Sequence, residues 1–284
     1  MTRGVARGGW AAILVSIWLG WAATAQAEDV PYVQSSMTVV DTMLSIAEVG
    51  PQDFVVDLGS GDGRIVIGAA KRFGARALGI EYDSTLVEES RRNAVREGVA
   101  DRASFLRQDI FETDFSDATV VTMYLLPEVN LQLRPRILYG LRPGTRVVSH
   151  DFDMGDWEPD AKRTVPVPDK PVGPRKESTI FLWTVPARLA GAWRGTLTGP
   201  LGEEPVLLEF AQRFQKVQAT IWLPRSDMGG TGRIQGSSIR LDLRRSQFGT
   251  SALQFTLKAV DGRLEGEAFE EGKRYLLKAA RIPS

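Results

Sequence analysis

Three carboxylates stand behind short apolar runs at intervals of about two dozen residues: Asp57 in Val55-Val56-Asp57-Leu58, Glu81 in Gly79-Ile80-Glu81-Tyr82, and Asp109 in Gln108-Asp109-Ile110-Phe111. The first leads into Gly59-Ser60-Gly61-Asp62-Gly63-Arg64. Alternate glycines tolerate positive φ and keep side chains away from the backbone, so a ligand can lie against such a turn, with the amides of the next helix beyond it. A carboxylate ending the second strand, with Tyr82 beside it, accepts from both hydroxyls of a ribose in doubly wound folds. Asp109 is placed to accept from a nucleobase amino group while Ile110 or Phe111 packs on the ring, and Asp57 to bond the loop amides and orient an amino-acid end of the ligand. The spacing is GxGxG, which differs from the GxGxxG of dinucleotide sites.

The elements that must hold these residues alternate in type. From Asp53 to Trp183, β-branched runs alternate with stretches of helical period, which predicts a mostly parallel sheet wrapped by helices. Strands are expected at 54–58, 77–81, 104–107, 119–124, 146–150 and 179–184, with helices at 63–73, 84–97 and 127–139. Ser35 to Val49 reads as an amphipathic helix ahead of them. Pro166, Pro168, Pro171 and Pro174 forbid a regular helix before the last strand and leave room for a short edge strand at 164–167. Beyond Pro186, short alternating segments at 207–210, 217–222, 239–243, 253–257 and 275–278 predict a small antiparallel β domain, a sandwich or barrel. Its aromatics Trp193, Phe210, Phe214, Trp222 and Phe255 are expected in its core.

The fold expectation is therefore α/β: a doubly wound, mostly parallel seven-strand sheet over residues 28–186, then an all-β domain over 187–284. Residues 1–27 are a separate matter. Arg3 and Arg7 precede an apolar run from Trp10 to Ala23, and Ala25-Gln26-Ala27 offers small residues, the pattern of a cleaved secretory signal peptide. The run is shorter than the roughly 20 residues of a spanning helix. On this reading the mature chain starts near Glu28 and is exported, to a periplasm in bacterial terms, unless the start codon is misassigned.

With no cysteine and one histidine, His150, thiolate chemistry and multi-histidine metal sites are excluded within the chain. No metal is expected. Residues 28–186 carry 25 acidic and 18 basic side chains, residues 187–284 carry 10 and 15. An acidic catalytic half suits a cationic substrate and is a poor platform for nucleic acid. The acidic run Asp151-Phe152-Asp153-Met154-Gly155-Asp156 is expected to be a solvated loop rather than a hard-cation site.

The set Asp57, Gly59, Ser60, Gly61, Gly63, Glu81 and Asp109 resembles class I S-adenosylmethionine-dependent methyltransferases. Pro31-Tyr32-Val33 and Leu126-Pro127-Glu128-Val129, with Gly144 to Ser149, are similar to the protein-lysine methyltransferases of mitochondrial carriers and ATP synthase, and more distantly to the seven-strand histone-lysine enzymes. The resemblance spans roughly residues 31–157. It implies S-adenosylmethionine as cofactor, an N-terminal segment that closes the site with Tyr32 near the methionine part, and an acceptor amine near the end of the fourth strand, with Tyr124 and Tyr32 lining its channel. Where the histone enzymes have an asparagine pair this chain has Val121-Thr122, so lysine specificity does not carry over residue by residue. The place of the Asn/Asp-Pro-Pro-aromatic motif of amino-group DNA methyltransferases holds Tyr124-Leu125-Leu126-Pro127 instead. An inert binding protein of the same fold and a small-molecule O-methyltransferase are the competing readings.

Overall fold

The structure, a computed structural model, describes residues 33–171, 174–245, 252–270 and 272–283. The expected leader at 1–27 and Tyr32 lie outside the described residues. The first part of the chain runs α1 (Met37–Ile46), β1 (Phe54–Leu58), α2 (Arg64–Phe73), β2 (Arg76–Glu81), α3 (Ser84–Arg96), β3 (Ala103–Arg107), β4 (Val120–Met123), α4 (Pro127–Gly140), β5 (Arg146–His150), β6 (Ala161–Pro166) and β7 (Glu177–Thr184). These seven strands form one sheet in the order β3-β2-β1-β4-β5-β7-β6. Strands β1 to β5 are parallel, and β7 enters antiparallel to both β5 and β6.

Adjacent valines explain the layering. Val55, Val120 and Val148 join one core with Val40, Met43, Leu44, Val66 and Ala69 from α1 and α2. Their neighbours Val56, Val121 and Val147 join a second core with Leu133 and Ile137 of α4. Consecutive strand side chains point to opposite faces, so each paired valine feeds both layers and the strands read as continuous apolar runs. Ser36 starts α1 by accepting from the Val39 amide, and Asp83 starts α3 by accepting from Thr85 and Leu86. The edge strand is Ala161–Pro166, displaced toward its N-terminus from the expected 164–167. Among the described residues no helix is long and apolar enough to cross a membrane.

The second part is a closed barrel of β8 (Gly191–Gly199), β9 (Gly202–Arg213), β10 (Lys216–Leu223), β11 (Ser226–Gln235), β12 (Ser238–Arg245), β13 (Ala252–Val260), β14 (Arg263–Glu270) and β15 (Lys273–Arg281). Sequential antiparallel pairs close through β15 and β8, which leaves no free sheet edge. Trp193, Phe210 and Phe255 are buried in its single apolar cluster. Two expected core aromatics are elsewhere: Trp222 is 38% exposed, and Phe214 leaves the barrel to stack on Trp157 at 5.9 Å between ring centroids.

The barrel is fastened to the first part by opposite charge. Arg213 pairs with Asp156 at 2.7 Å, Lys216 with Glu158 at 2.7 Å and Arg233 with Asp160 at 2.6 Å. Gln215 Nε2 donates to the Glu158 carbonyl at 2.6 Å, and Arg134 both pairs with Asp156 and lies over the Phe214 ring. The acidic run is therefore corrected in part: Asp156, though half-exposed, is paired with two arginines, and Asp151 is largely buried against Lys170. The acidic-then-basic asymmetry of the sequence is partly an internal fit. Further contacts fall at the start of β5 and the end of β7, where Ala187 N donates to the Gly236 carbonyl at 2.7 Å and Gly236 abuts Gly144. These lie at the amino edge of the parallel strands, opposite the glycine turn.

Candidate active site

Asp57 on β1 and Glu81 at the end of β2 stand beside the glycine turn, while Asp109 follows β3 and Tyr124 follows β4. Gly59, Gly61 and Gly63 all have positive φ, at +74°, +54° and +82°. A Cβ on Gly59 would stand 2.8 Å from Leu125 Cδ2. The Gly59 and Ser60 amides donate to the Ile80 carbonyl at 2.9 and 3.0 Å, and the Gly63 amide to the Ser60 carbonyl. Gly61 N donates to Glu81 Oε2 at 2.9 Å, and Arg64 N to Asp62 Oδ1 at 3.2 Å. The amides of Gly59, Ser60, Gly61, Gly63 and Arg64 are therefore engaged within the protein rather than offered to a ligand. A phosphate nest needs free amides.

What the turn gathers instead is carboxyl groups. Asp57 is buried, and Thr122 Oγ1 donates to its Oδ1 at 2.6 Å. Burial pushes the Asp57 carboxyl up to about 8, against the Thr122 bond and with help from the charges of Glu81 and Asp62. Glu81 Oε1 accepts from the Tyr82 and Asp83 amides at 2.8 and 3.0 Å. With the Gly61 bond this fills three of the about four lone-pair sites of the carboxylate. Asp109 Oδ1 accepts from Phe111 N at 2.8 Å, which closes the turn after β3, and Ile110 packs against the core that holds Leu58 and Ile80. The Ser60 hydroxyl is buried without a hydrogen bond against β2, where a Cβ on Gly79 would lie 2.5 Å from it. Tyr82 is 72% exposed.

Arg64 joins the turn to the segment ahead of α1. Its guanidinium pairs with Asp62 at 2.6 Å and donates to the Ser35 carbonyl at 2.6 Å, while Gln34 Nε2 reaches Asp62 at 3.4 Å. Residues 34–36 are thus clamped beside the turn.

A second group ends β4 and β5. Tyr124 follows β4 and stacks on His150, with centroids 3.9 Å apart, and on Phe152. His150 Nδ1 shares a buried hydrogen bond of 2.9 Å with Ser35 Oγ, and Nε2 has no hydrogen-bond partner. Burial and the Lys170 charge hold the His150 imidazole down at about 4, against the pull of Asp151. Asn130, from α4, fixes the following turn by donating to the Phe152 and Asp153 carbonyls. Sequence reasoning missed Thr122, Ser35, Arg64, Asp151 and Lys170 as members of the site. Thr122 enters it only as a residue that is not asparagine, and its register opposite Asp57 is visible once β1 and β4 are paired. Among the described residues no group of three or more His, Asp or Glu side chains is arranged to hold a metal ion.

Comparison with known proteins adds the decisive observation. Residues 57–161 match the model of the ANTKMT methyltransferase domain. A protein-lysine N-methyltransferase of Saccharolobus islandicus is 44% identical over 157 residues, covering 55% of this chain and 94% of the relative. The chain belongs to the class I S-adenosylmethionine-dependent methyltransferases. The adenine nucleotide translocase lysine N-methyltransferase of Mus musculus is 38% identical over 46% of this methyltransferase, which spans 56% of that relative's length. The crystal structure of an RNA methyltransferase from Salinibacter ruber, in complex with S-adenosyl-L-homocysteine, is 52% identical with a TM-score of 0.50, covering 55% of this chain and 96% of that one. The family model ends at residue 161 and does not reach the barrel.

The residues present fit the cofactor. S-adenosylmethionine carries a sulfonium and an ammonium; Glu81 and Asp57 stand beside a turn whose Gly59, Ser60, Gly61 and Gly63 amides are engaged, and Asp57, pushed up to about 8, gives up its proton beside such a cation. When bound, the cofactor supplies an electrophilic methyl group. The protein's task is to place an acceptor in line with it, which is a matter of position more than of acid–base chemistry.

Proposed function

We propose that this methyltransferase N-methylates a lysine of a protein, with Glu81 receiving the ribose, Asp57 the amino-acid end and Asp109 with Ile110 the adenine of the cofactor. The single observation that carries the reading is the 44% identity across 94% of a protein-lysine N-methyltransferase. The acidic balance of residues 28–186, 25 acidic against 18 basic side chains, favours an amine acceptor over a polyanion. Tyr124, half-buried at the end of β4, lines the acceptor side, and burial followed by the charge of Asp151 pushes its phenol up, so it stays neutral there. Tyr32 is proposed on the same side from its place in the sequence.

The test is transfer of labelled methyl from S-adenosylmethionine by the full chain, offered lysine-rich protein and RNA side by side. Methyl-lysine in the acid hydrolysate, abolished by Glu81→Ala and Asp57→Ala, is the expected result. Label confined to RNA would overturn the proposal and favour the activity named for the Salinibacter protein. We also propose export, on residues 3–27 alone; the mass of the native chain checks for cleavage after Ala27.

A further inference from the structure

Beside the cofactor turn, a cavity of about 330 Å³ is lined by Gln34, Arg64, Tyr124, His150 and Lys170. It holds an ammonium of the protein's own. Lys170, on the stretch between β6 and β7, points its Nζ at Asp151 Oδ2, 2.6 Å away, and donates to the Glu177 carbonyl at 2.6 Å. Its side chain is only 14% exposed. The carboxylate that receives it is rigidly mounted: Asp151 follows β5 with φ +60°, a conformation a non-glycine residue adopts rarely, and its Oδ1 accepts from Thr179 N at 2.9 Å. Oδ2 also lies 3.4 Å from the unpartnered His150 Nε2.

We infer that Asp151 is the receptor for the ammonium of the acceptor lysine, and that Lys170 fills this receptor as an internal stand-in until the acceptor displaces it. The inference rests on the lysine reading above. Asp151 extends the strand that ends in His150, whose ring lies on Tyr124 at the end of β4; the pair therefore sits at the edge of the sheet where the cofactor turn lies. Burying one partner of an ion pair without the other is costly, so removing the Lys170 ammonium leaves a carboxylate that a second ammonium stabilises. Exchange of one lysine ammonium for another keeps that cation in place. Of the pair only Lys170 lines the cavity, so an acceptor reaches Asp151 by taking the place of the Lys170 side chain.

The test uses the full chain with S-adenosylhomocysteine and n-propylammonium, which replaces the three carbons and the amine removed by Lys170→Ala. The expected result is a rise in melting temperature of Lys170→Ala on adding n-propylammonium, absent in the wild type and absent when Asp151→Asn is added. Lys170→Met, which keeps the stem, serves if the alanine variant does not fold, and its KM for a lysine peptide is expected to fall several-fold. No response to n-propylammonium beyond that of the wild type, or an unchanged KM in Lys170→Met, overturns the inference. If n-propylammonium binds through Asp151 but the wild type methylates no lysine peptide, the ammonium site stands and the lysine reading fails.

Discussion

Thr122 on β4 and Asp57 on β1 are register partners, and the threonine hydroxyl donates to the buried aspartate at 2.6 Å. This bond steadies the Asp57 carboxylate and opposes a burial that has pushed the group up to about 8. A folded-state pKa above the ordinary 3.8 means that the folded protein holds a proton the unfolded chain has lost. The contribution of Asp57 to stability is therefore full below the unfolded value and is lost as pH rises through about 8. A cationic ligand reverses the preference and expels the proton. Cofactor affinity is expected to climb by up to about tenfold per pH unit below the Asp57 pKa. Calorimetry in two buffers of different ionisation enthalpy reads the released proton directly; Asp57→Asn abolishes the release, and Thr122→Val shifts it to higher pH.

Gly59→Ala tests the turn itself. The residue sits at φ +74°, and an added Cβ would meet Leu125 at 2.8 Å. The conformational cost is about 1 kcal/mol, and displacing Leu125 adds a similar amount. Urea unfolding is expected to show a loss of about 2 kcal/mol. Because Leu125 adjoins Tyr124, methyl transfer should fall further than stability explains, measured under conditions where both proteins are folded.

How much of this was legible in sequence follows from how local each signal is. The strand ends at Asp57, Glu81 and Asp109 were readable because apolar runs and punctuating glycines lie next to one another in the chain. The barrel was readable as antiparallel β, yet β8, β11 and β14 were not among the expected segments. β11 contains Gly229, Gly230 and Gly232, and a Cβ on Gly230 would come within 2.0 Å of the Asp242 carbonyl oxygen. These glycines look like a turn in sequence, and Gly230 and Gly232 are instead needed where neighbouring strands crowd. The pairs Ser35–His150, Asp57–Thr122 and Asp151–Lys170 span 115, 65 and 19 positions. No periodicity encodes them.

Phe214 is expected to govern how the barrel and the sheet unfold together. It stacks on the buried Trp157 and carries Arg134 over its ring, beside the Arg213–Asp156 and Lys216–Glu158 pairs, which are individually weak because Arg213 and Lys216 are largely exposed. Packing rather than charge should therefore dominate. Phe214→Ala is expected to cost about 2 kcal/mol and to split one calorimetric transition into two, whereas Lys216→Ala should leave the transition within about 0.5 kcal/mol.

His150 offers a probe of the acceptor side because it is the chain's sole histidine, so an untagged protein shows one imidazole titration. Burial and then Lys170 hold its pKa at about 4, below the ordinary 6.5, with Asp151 opposing. The fold thus selects the neutral ring: its stabilising contribution is complete above about 6.5 and is lost as pH falls through about 4. By proton resonance the wild-type ring should remain neutral at pH 6, and Lys170→Met should raise its pKa by removing the nearby positive charge. Asp151→Asn should do the opposite, since it deletes the one attraction that favours the imidazolium. Melting temperature should drop between about pH 6.5 and about pH 4, and less steeply in Lys170→Met, because the ring then charges at smaller cost within the fold. A wild-type imidazole that titrates near its ordinary value would mean that the contact with Ser35 and the stacking on Tyr124 do not hold the ring in the buried position described.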